Sequence, residues 1–226
     1  MIQYLIFMAP AILLALWAQF RVKATYAAAM QEPAPVSGAY AARQILDSAG
    51  LREVAIEQIP GQLSDHYDPR DKVLRLSPEV YQGRTLASVG IAAHEAGHAL
   101  QDAHAYTLMT IRNAAVPAAN FGSGLGMGLL VLGFIMHMLP LIWIGIALFS
   151  CVVFFQLVNL PVEFNASSRA KAQLVSLGII PQQEMGAVNN VLNAAAWTYV
   201  AATLQSVLQL LYYVSLFAGN GQREEA

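Results

Sequence analysis

The chain has 226 residues, 57% of them hydrophobic and 12% charged, with a formal net charge of −2. The charged share is about half the roughly 25% usual in a soluble domain, and the near-neutral balance offers no basic footprint for nucleic acid. The single cysteine, Cys151, lies in an apolar run, which excludes an internal disulfide framework and a multi-cysteine zinc site.

Four segments approach or exceed the roughly 20 apolar residues that a membrane-crossing helix needs. The first, residues 4–20, is followed by Arg21 and Lys23. A signal peptide carries its charges ahead of the apolar stretch, so a retained anchor is expected instead. Residues 114–138 and 141–160 are separated by little more than Leu139 and Pro140, which predicts a tight helical hairpin. The fourth segment, 194–217, carries Gln205 and Gln209 one turn apart. Lipid does not satisfy such amides, so that face is expected to pack on other helices. The glycine pairs Gly122/Gly126 and Gly124/Gly128 have the spacing that lets helix backbones approach closely.

Four crossings divide the chain into an anchor (1–20), a polar region (21–113), a hairpin (114–160), a second polar segment (161–193) and a final span with a tail (194–226). Arg21, Lys23, Arg112, Arg169 and Lys171 then flank one membrane side and Arg223 the other. This asymmetry places the polar regions in the cytoplasm, against a bacterial-type inner or plasma membrane.

Within residues 21–113 the expected elements are short. Ser37 is an N-cap for a helix over 39–48 that Gly50 ends, and residues 54–56 alternate weakly as a strand. Residues 63–67 and 72–76 flank the turn Asp68-Pro69-Arg70-Asp71 and predict a hairpin. Ser77-Pro78-Glu79 starts a short helix that Gly83 stops. A longer helix follows from Thr85 through Ala103, too short in its apolar part to span a bilayer.

That helix carries His94-Glu95-Ala96-Gly97-His98. Residues four apart lie about 40° from each other around a helix axis, so both imidazoles can face one zinc ion. Glu95, displaced by about 100°, can reach water at the metal without ligating it. Zinc lowers the pKa of that water to roughly 7; Glu95 would take its proton and pass it to the leaving amine. Two core histidines and a surface glutamate would give the same five letters, but burying these groups on an alanine- and glycine-rich helix is costly without a purpose. Gly97 leaves room beside the metal for close helix packing.

A catalytic zinc needs a third protein ligand. His104 has the spacing of the extended HExxHxxGxxH pattern, but Gln101 replaces the glycine that turns the chain. On a straight helix His104 would lie about 9 Å beyond His98. Glu163, which follows Pro161 in a helical-looking segment, falls on the same side of the membrane as the histidines and is the stronger candidate. His66 and Asp102 are further ligand candidates, and Asp102 could instead support a ligand histidine through its other ring nitrogen. Tyr67, His66, Tyr106 and Tyr199 could each stabilise an oxyanion or simply pack.

Several stretches together resemble the YugP-like membrane zinc metallopeptidases. They are Gly61-Gln62-Leu63-Ser64-Asp65-His66-Tyr67-Asp68-Pro69-Arg70, Leu76-Ser77-Pro78-Glu79-Val80-Tyr81, Ala92-Ala93-His94-Glu95-Ala96-Gly97-His98-Ala99-Leu100-Gln101 and Leu160-Pro161-Val162-Glu163-Phe164-Asn165-Ala166-Ser167. The resemblance covers nearly the whole chain. It implies a gluzincin-like site in which the downstream glutamate, here Glu163, is the third ligand. Many gluzincins carry an Asp four residues further on; Ser167 stands there, so Asn165 or Asp102 is expected to substitute. The resemblance also implies that strand 72–76 is a sheet edge on which an extended substrate lies.

The expected fold is a mainly α membrane protein, with four transmembrane helices and a small α+β zincin-like metallopeptidase domain. The expected activity is zinc-dependent endopeptidase cleavage of polypeptides, chiefly membrane-protein segments near the lipid bilayer, in quality control and within a larger membrane complex. A catalytically silent scaffold and a site-2-type intramembrane protease are the rival readings. No Leu-Asp-Gly motif supports the latter.

Overall fold

The computed structural model describes residues 2–221, with side chains as far as Phe217. Arg223, counted above for charge asymmetry, lies outside the described residues. The helices Ile2–Ala29, Thr107–Ile135, Leu139–Ser176 and Gln182–Phe217 are long and apolar enough to cross a membrane. With one small sheet beside them, the fold is that of a mainly α membrane protein. The chain forms two compact units: Met1–Trp17, Thr110–Pro161 and Thr198–Ala226 in one, Ala18–Met109 and Val162–Trp197 in the other.

The first unit is built from apolar helix segments. Helix α1 covers Ile2–Ala29. Beyond it in this unit come α5 (Thr107–Phe121), a π-helical turn (Gly122–Gly126) and α6 (Met127–Ile135). The long α7 (Leu139–Ser176) and α8 (Met185–Gly221) follow. Only one of the two glycine pairs serves close packing. A Cβ on Gly122 would lie 2.3 Å from the Leu148 carbonyl oxygen, and one on Gly126 would lie 3.1 Å from the Leu148 side chain. Gly124 and Gly128 have nothing within 4 Å and are not contact positions.

Two expectations about the spans change. Leu139 and Pro140 are not the hairpin connection but the first turn of α7, where a proline lacks no helical partner; the chain turns at His137, whose φ is 55°. The first unit's part of α7 ends at Pro161, and the helix runs on through it to Ser176, so the segment carrying Glu163 is helical as expected. Long apolar helices tolerate an internal proline, and Pro10 and Pro117 are further cases. Gln205 is exposed, and Gln209 bonds Tyr213 Oη at 2.8 Å one turn away. The buried polar groups of that stretch are Thr203 and Ser206.

The second unit follows local signals closely. Ser37 Oγ caps α2 (Gly38–Ser48) through Tyr40 N, and Gly50, at φ +77°, ends the turn after it. Ser77 and Pro78 begin α3 (Pro78–Gln82). Thr85 Oγ1 accepts from Ser88 N at 3.2 Å to start α4 (Leu86–Ala103). The strands are β1 (Ala55–Gln58), β2 (His66–Asp68) and β3 (Val73–Leu76). They form a sheet of order β1-β3-β2, with β1 parallel and β2 antiparallel to β3.

This order overturns the expectation that strand 72–76 is an edge. The hairpin partner β2 covers one side of β3, and β1 pairs with the other, Ala55 opposite Val73 through Gln58 opposite Leu76. The open edge nearer α4 belongs to β2.

Helix α4 is buried along most of its length, against α2, α3 and the sheet. Val162, Ala170 and Leu174 of α7, with Ile180, Met185 and Val188, complete the same core. Burial on all sides explains why a helix with so few large side chains is stable here: close approach replaces side-chain bulk. A Cβ on Gly90 would touch Val188 at 3.2 Å, and one on Gly97 would lie 2.6 Å from the Ala166 carbonyl oxygen.

Candidate metal centre

His94 and His98 sit one turn apart on α4, with ring centroids 4.8 Å apart and ring planes at 85°. The contact of Gly97 with Ala166 brings α7 against this turn, and Glu163, three residues before Ala166, falls on the same face. Glu163 Oε2 lies 3.2 Å from His94 Nε2 and 3.5 Å from His98 Nε2. His94, His98 and Glu163 are a cluster able to hold a metal ion, with donor atoms within 4.8 Å of one another.

Four ligands at about 2.0–2.1 Å in a tetrahedron lie about 3.3 Å apart. The two nitrogen–oxygen separations straddle that value, so these residues fit zinc. Imidazole and carboxylate are also donors that zinc accepts readily.

Each imidazole is supported through its other nitrogen. His98 Nδ1 lies 2.9 Å from Gln101 Oε1, and His94 Nδ1 lies 3.1 Å from Ser167 Oγ. Ser167 itself thus takes the place for which Asn165 or Asp102 was expected to substitute. Asn165 acts one step further out, accepting from Gln101 Nε2 at 3.0 Å. Gln101 was not singled out from the sequence as a partner of either histidine. The available signal was its position three residues after His98, on the same helix face.

Glu95 is buried beside the cluster and is not one of its three members. Its Oε2 accepts the backbone N–H of Tyr67 at 3.0 Å. Burial pushes its carboxyl up to about 7; His94 opposes this, and Glu163 and Asp65 add to it. Because Tyr67 pairs with Leu74 of β3 while sending its N–H to Glu95, the outer edge of β2 faces α4.

The remaining candidates lie elsewhere. His104 is the C-cap of α4, its Nδ1 2.6 Å from the Leu100 carbonyl. His66 is exposed, its Nδ1 2.8 Å from the Ser64 carbonyl. Asp102 is not a partner of either histidine in the cluster. It accepts from Tyr67 Oη at 2.7 Å and pairs with Lys72 Nζ, because its side chain points toward the β2–β3 hairpin. Burial, then the hydrogen bond to Asp102, raises the Tyr67 phenol well above its ordinary value. That hydroxyl is therefore committed to Asp102. The guanidinium of Arg169 lies 6.0 Å from the Tyr106 ring centroid, a packing role for that ring.

Two histidines one turn apart and a glutamate from another helix make the donor set, and Glu95 lies buried beside it. The chain belongs to the family described as "Putative neutral zinc metallopeptidase", whose model matches residues 4–218. Among its relatives, the "Putative membrane protease YugP" of Bacillus subtilis (strain 168) is 47% identical over 213 residues, covering 93% of this chain and 94% of that protein. No solved structure matches the chain significantly. Zinc is accordingly the cofactor, and the cluster of His94, His98 and Glu163 is where the fold offers it a place.

Proposed function

We propose that the chain is a membrane-anchored zinc endopeptidase in which His94, His98 and Glu163 hold the metal and Glu95 is the general base. The convergence of both Nε2 atoms on Glu163 Oε2 at tetrahedral-edge distances carries this reading. When bound, zinc supplies a Lewis acid that polarises a carbonyl and acidifies water. Glu95 takes a proton from the attacking water and delivers it to the leaving amine. Its burial favours proton exchange near neutral pH, and the Tyr67 N–H holds its carboxylate in place.

The outer edge of β2, rather than that of β3, receives an extended polypeptide through main-chain hydrogen bonds. Residues 21–113 and 161–193 supply the catalytic parts and face the cytoplasm, by the excess of Arg and Lys on that side. The anchors confine the site to substrates at the bilayer, which suits removal of damaged or unassembled membrane proteins. Helix α4 is absent from the four long apolar helices, which disfavours a motif buried in a span.

The test pairs zinc analysis with digestion of a casein-type substrate by wild type and Glu95→Gln. Stoichiometric zinc in both, with cleavage only by wild type, is the expected result. Zinc-free wild type would sink the peptidase reading in favour of a scaffold, and cleavage by Glu95→Gln would remove Glu95 as the base.

A further inference from the structure

Gln101 is the one fully buried amide beside the metal cluster among the described residues, and it touches three groups at once. Its Nε2 lies 2.8 Å from the Val162 carbonyl oxygen and 3.0 Å from Asn165 Oδ1. Its Oε1 lies 2.9 Å from His98 Nδ1. Asn165 Oδ1 also accepts from Arg169 Nε at 2.8 Å.

The chemistry of these partners fixes every donor and acceptor in the chain. A backbone carbonyl only accepts and a guanidinium only donates. The atom facing Val162 must therefore be the amide nitrogen of Gln101, and the atom facing Arg169 must be the oxygen of Asn165. That leaves Gln101 Oε1 toward His98, so His98 Nδ1 must carry the hydrogen. In the neutral ring, the form that binds zinc, the lone pair is then on Nε2, which lies 3.5 Å from Glu163 Oε2. A zinc ion between that nitrogen and the carboxylate would be ligated by both. The contact at His94 has no such polarity, because the Ser167 hydroxyl can either donate or accept.

We propose that Gln101 is a positioning residue for the metal site, clamped by Val162 and Asn165 so that His98 is held as the Nδ1–H tautomer with Nε2 offered to zinc. The proposal rests on the reading of His94, His98 and Glu163 as zinc ligands. The same amide ties α4 to α7, since its two acceptors flank Glu163 in sequence. One side chain thus fixes both the electronic state of one ligand and the placement of another. A buried amide that lacked these partners would be costly to retain.

Zinc affinity by chelator competition tests the clamp without reference to cleavage. Gln101→Met keeps the bulk but neither accepts from His98 nor donates to α7; the expected loss is about 10–100-fold. Glu163→Ala serves as the reference that removes a ligand. If Gln101→Met binds as wild type does while Glu163→Ala does not, the clamp is wrong and the zinc site stands. If Glu163→Ala also binds as wild type, the zinc reading itself fails.

A second readout needs no destabilised variant. The chain has 5 histidines, few enough for a resolved spectrum after histidine-selective nitrogen-15 labelling, with His98 assigned from its own substitution. In metal-free wild type, in mildly alkaline buffer, His98 should carry its proton on Nδ1. A proton on Nε2 would overturn the proposal.

Discussion

Gly97 of α4 faces the carbonyl of Ala166 of α7 so closely that a Cβ there would stand 2.6 Å from the oxygen. The obstacle is backbone rather than a movable side chain, so the helices themselves must part. Gly97→Ala should cost about 1–3 kcal/mol, the usual range for overpacking. It should also weaken zinc binding, because Glu163 is carried on the helix that is displaced. Thermal midpoints with and without zinc measure both effects. Gly186→Ala, where nothing lies within 4 Å, is the control; it should be neutral or mildly stabilising, since alanine favours helix by up to about 1 kcal/mol.

The two third-ligand candidates separate cleanly by metal analysis. Glu163→Ala removes the carboxylate that both imidazoles face, and it should lose more zinc affinity than the roughly 10–100-fold expected for a supporting partner. His104→Ala removes a ring whose recorded bond is to the Leu100 carbonyl, and zinc should be retained in full. Zinc loss in His104→Ala alone would reverse the assignment.

The base is tested by a change that preserves shape. Glu95→Gln still offers an oxygen to the Tyr67 N–H, so the local fold should persist and zinc should remain bound. Cleavage should fall by roughly 10²–10⁴-fold, the usual worth of a positioned acid–base group. A variant that loses zinc along with activity would mark Glu95 as a ligand instead.

Local signals made much of this legible in the sequence. Ser37 and Thr85 each cap a helix through a residue within a turn of themselves, and Ser77 with Pro78 starts a third where expected, although the Ser77 hydroxyl bonds Asp65 rather than a helix N–H. The histidine pair reads out of helical geometry alone. Strand order did not, because β1 pairs with β3 across an intervening strand, and no local pattern encodes that crossover. Nor did Gln101: its acceptors Val162 and Asn165 lie 61 and 64 residues away. Asp102, adjacent in sequence, looked the better partner for a histidine, yet the helix turns it about 100° away from Gln101 toward Tyr67 and Lys72.

Asp102 therefore anchors the β2 edge rather than the metal, and the two roles can be measured apart. Tyr67→Phe deletes the 2.7 Å bond to Asp102 while keeping the ring in the core. Because the acceptor is a carboxylate, the loss should be about 1.5–3 kcal/mol of stability. Zinc affinity should not change, since the deleted bond runs to Asp102 and not to His94, His98 or Glu163. If β2 receives the substrate, KM should rise more than kcat falls; an unchanged KM would argue against this edge as the docking strand.

Membrane orientation is the remaining expectation open to a direct measurement. Cys151 is the single cysteine, so its replacement by Ser leaves a clean background for site-directed labelling. Glu53, exposed in the turn between α2 and β1, is a suitable reporter position. In intact cells Glu53→Cys should resist a membrane-impermeant maleimide and react only after permeabilisation, as the excess of Arg and Lys on that side requires. Labelling without permeabilisation would place the catalytic unit outside the cytoplasm. The substrates would then be segments exposed on the opposite membrane face, while the chemistry assigned to His94, Glu95, His98 and Glu163 would be unaffected.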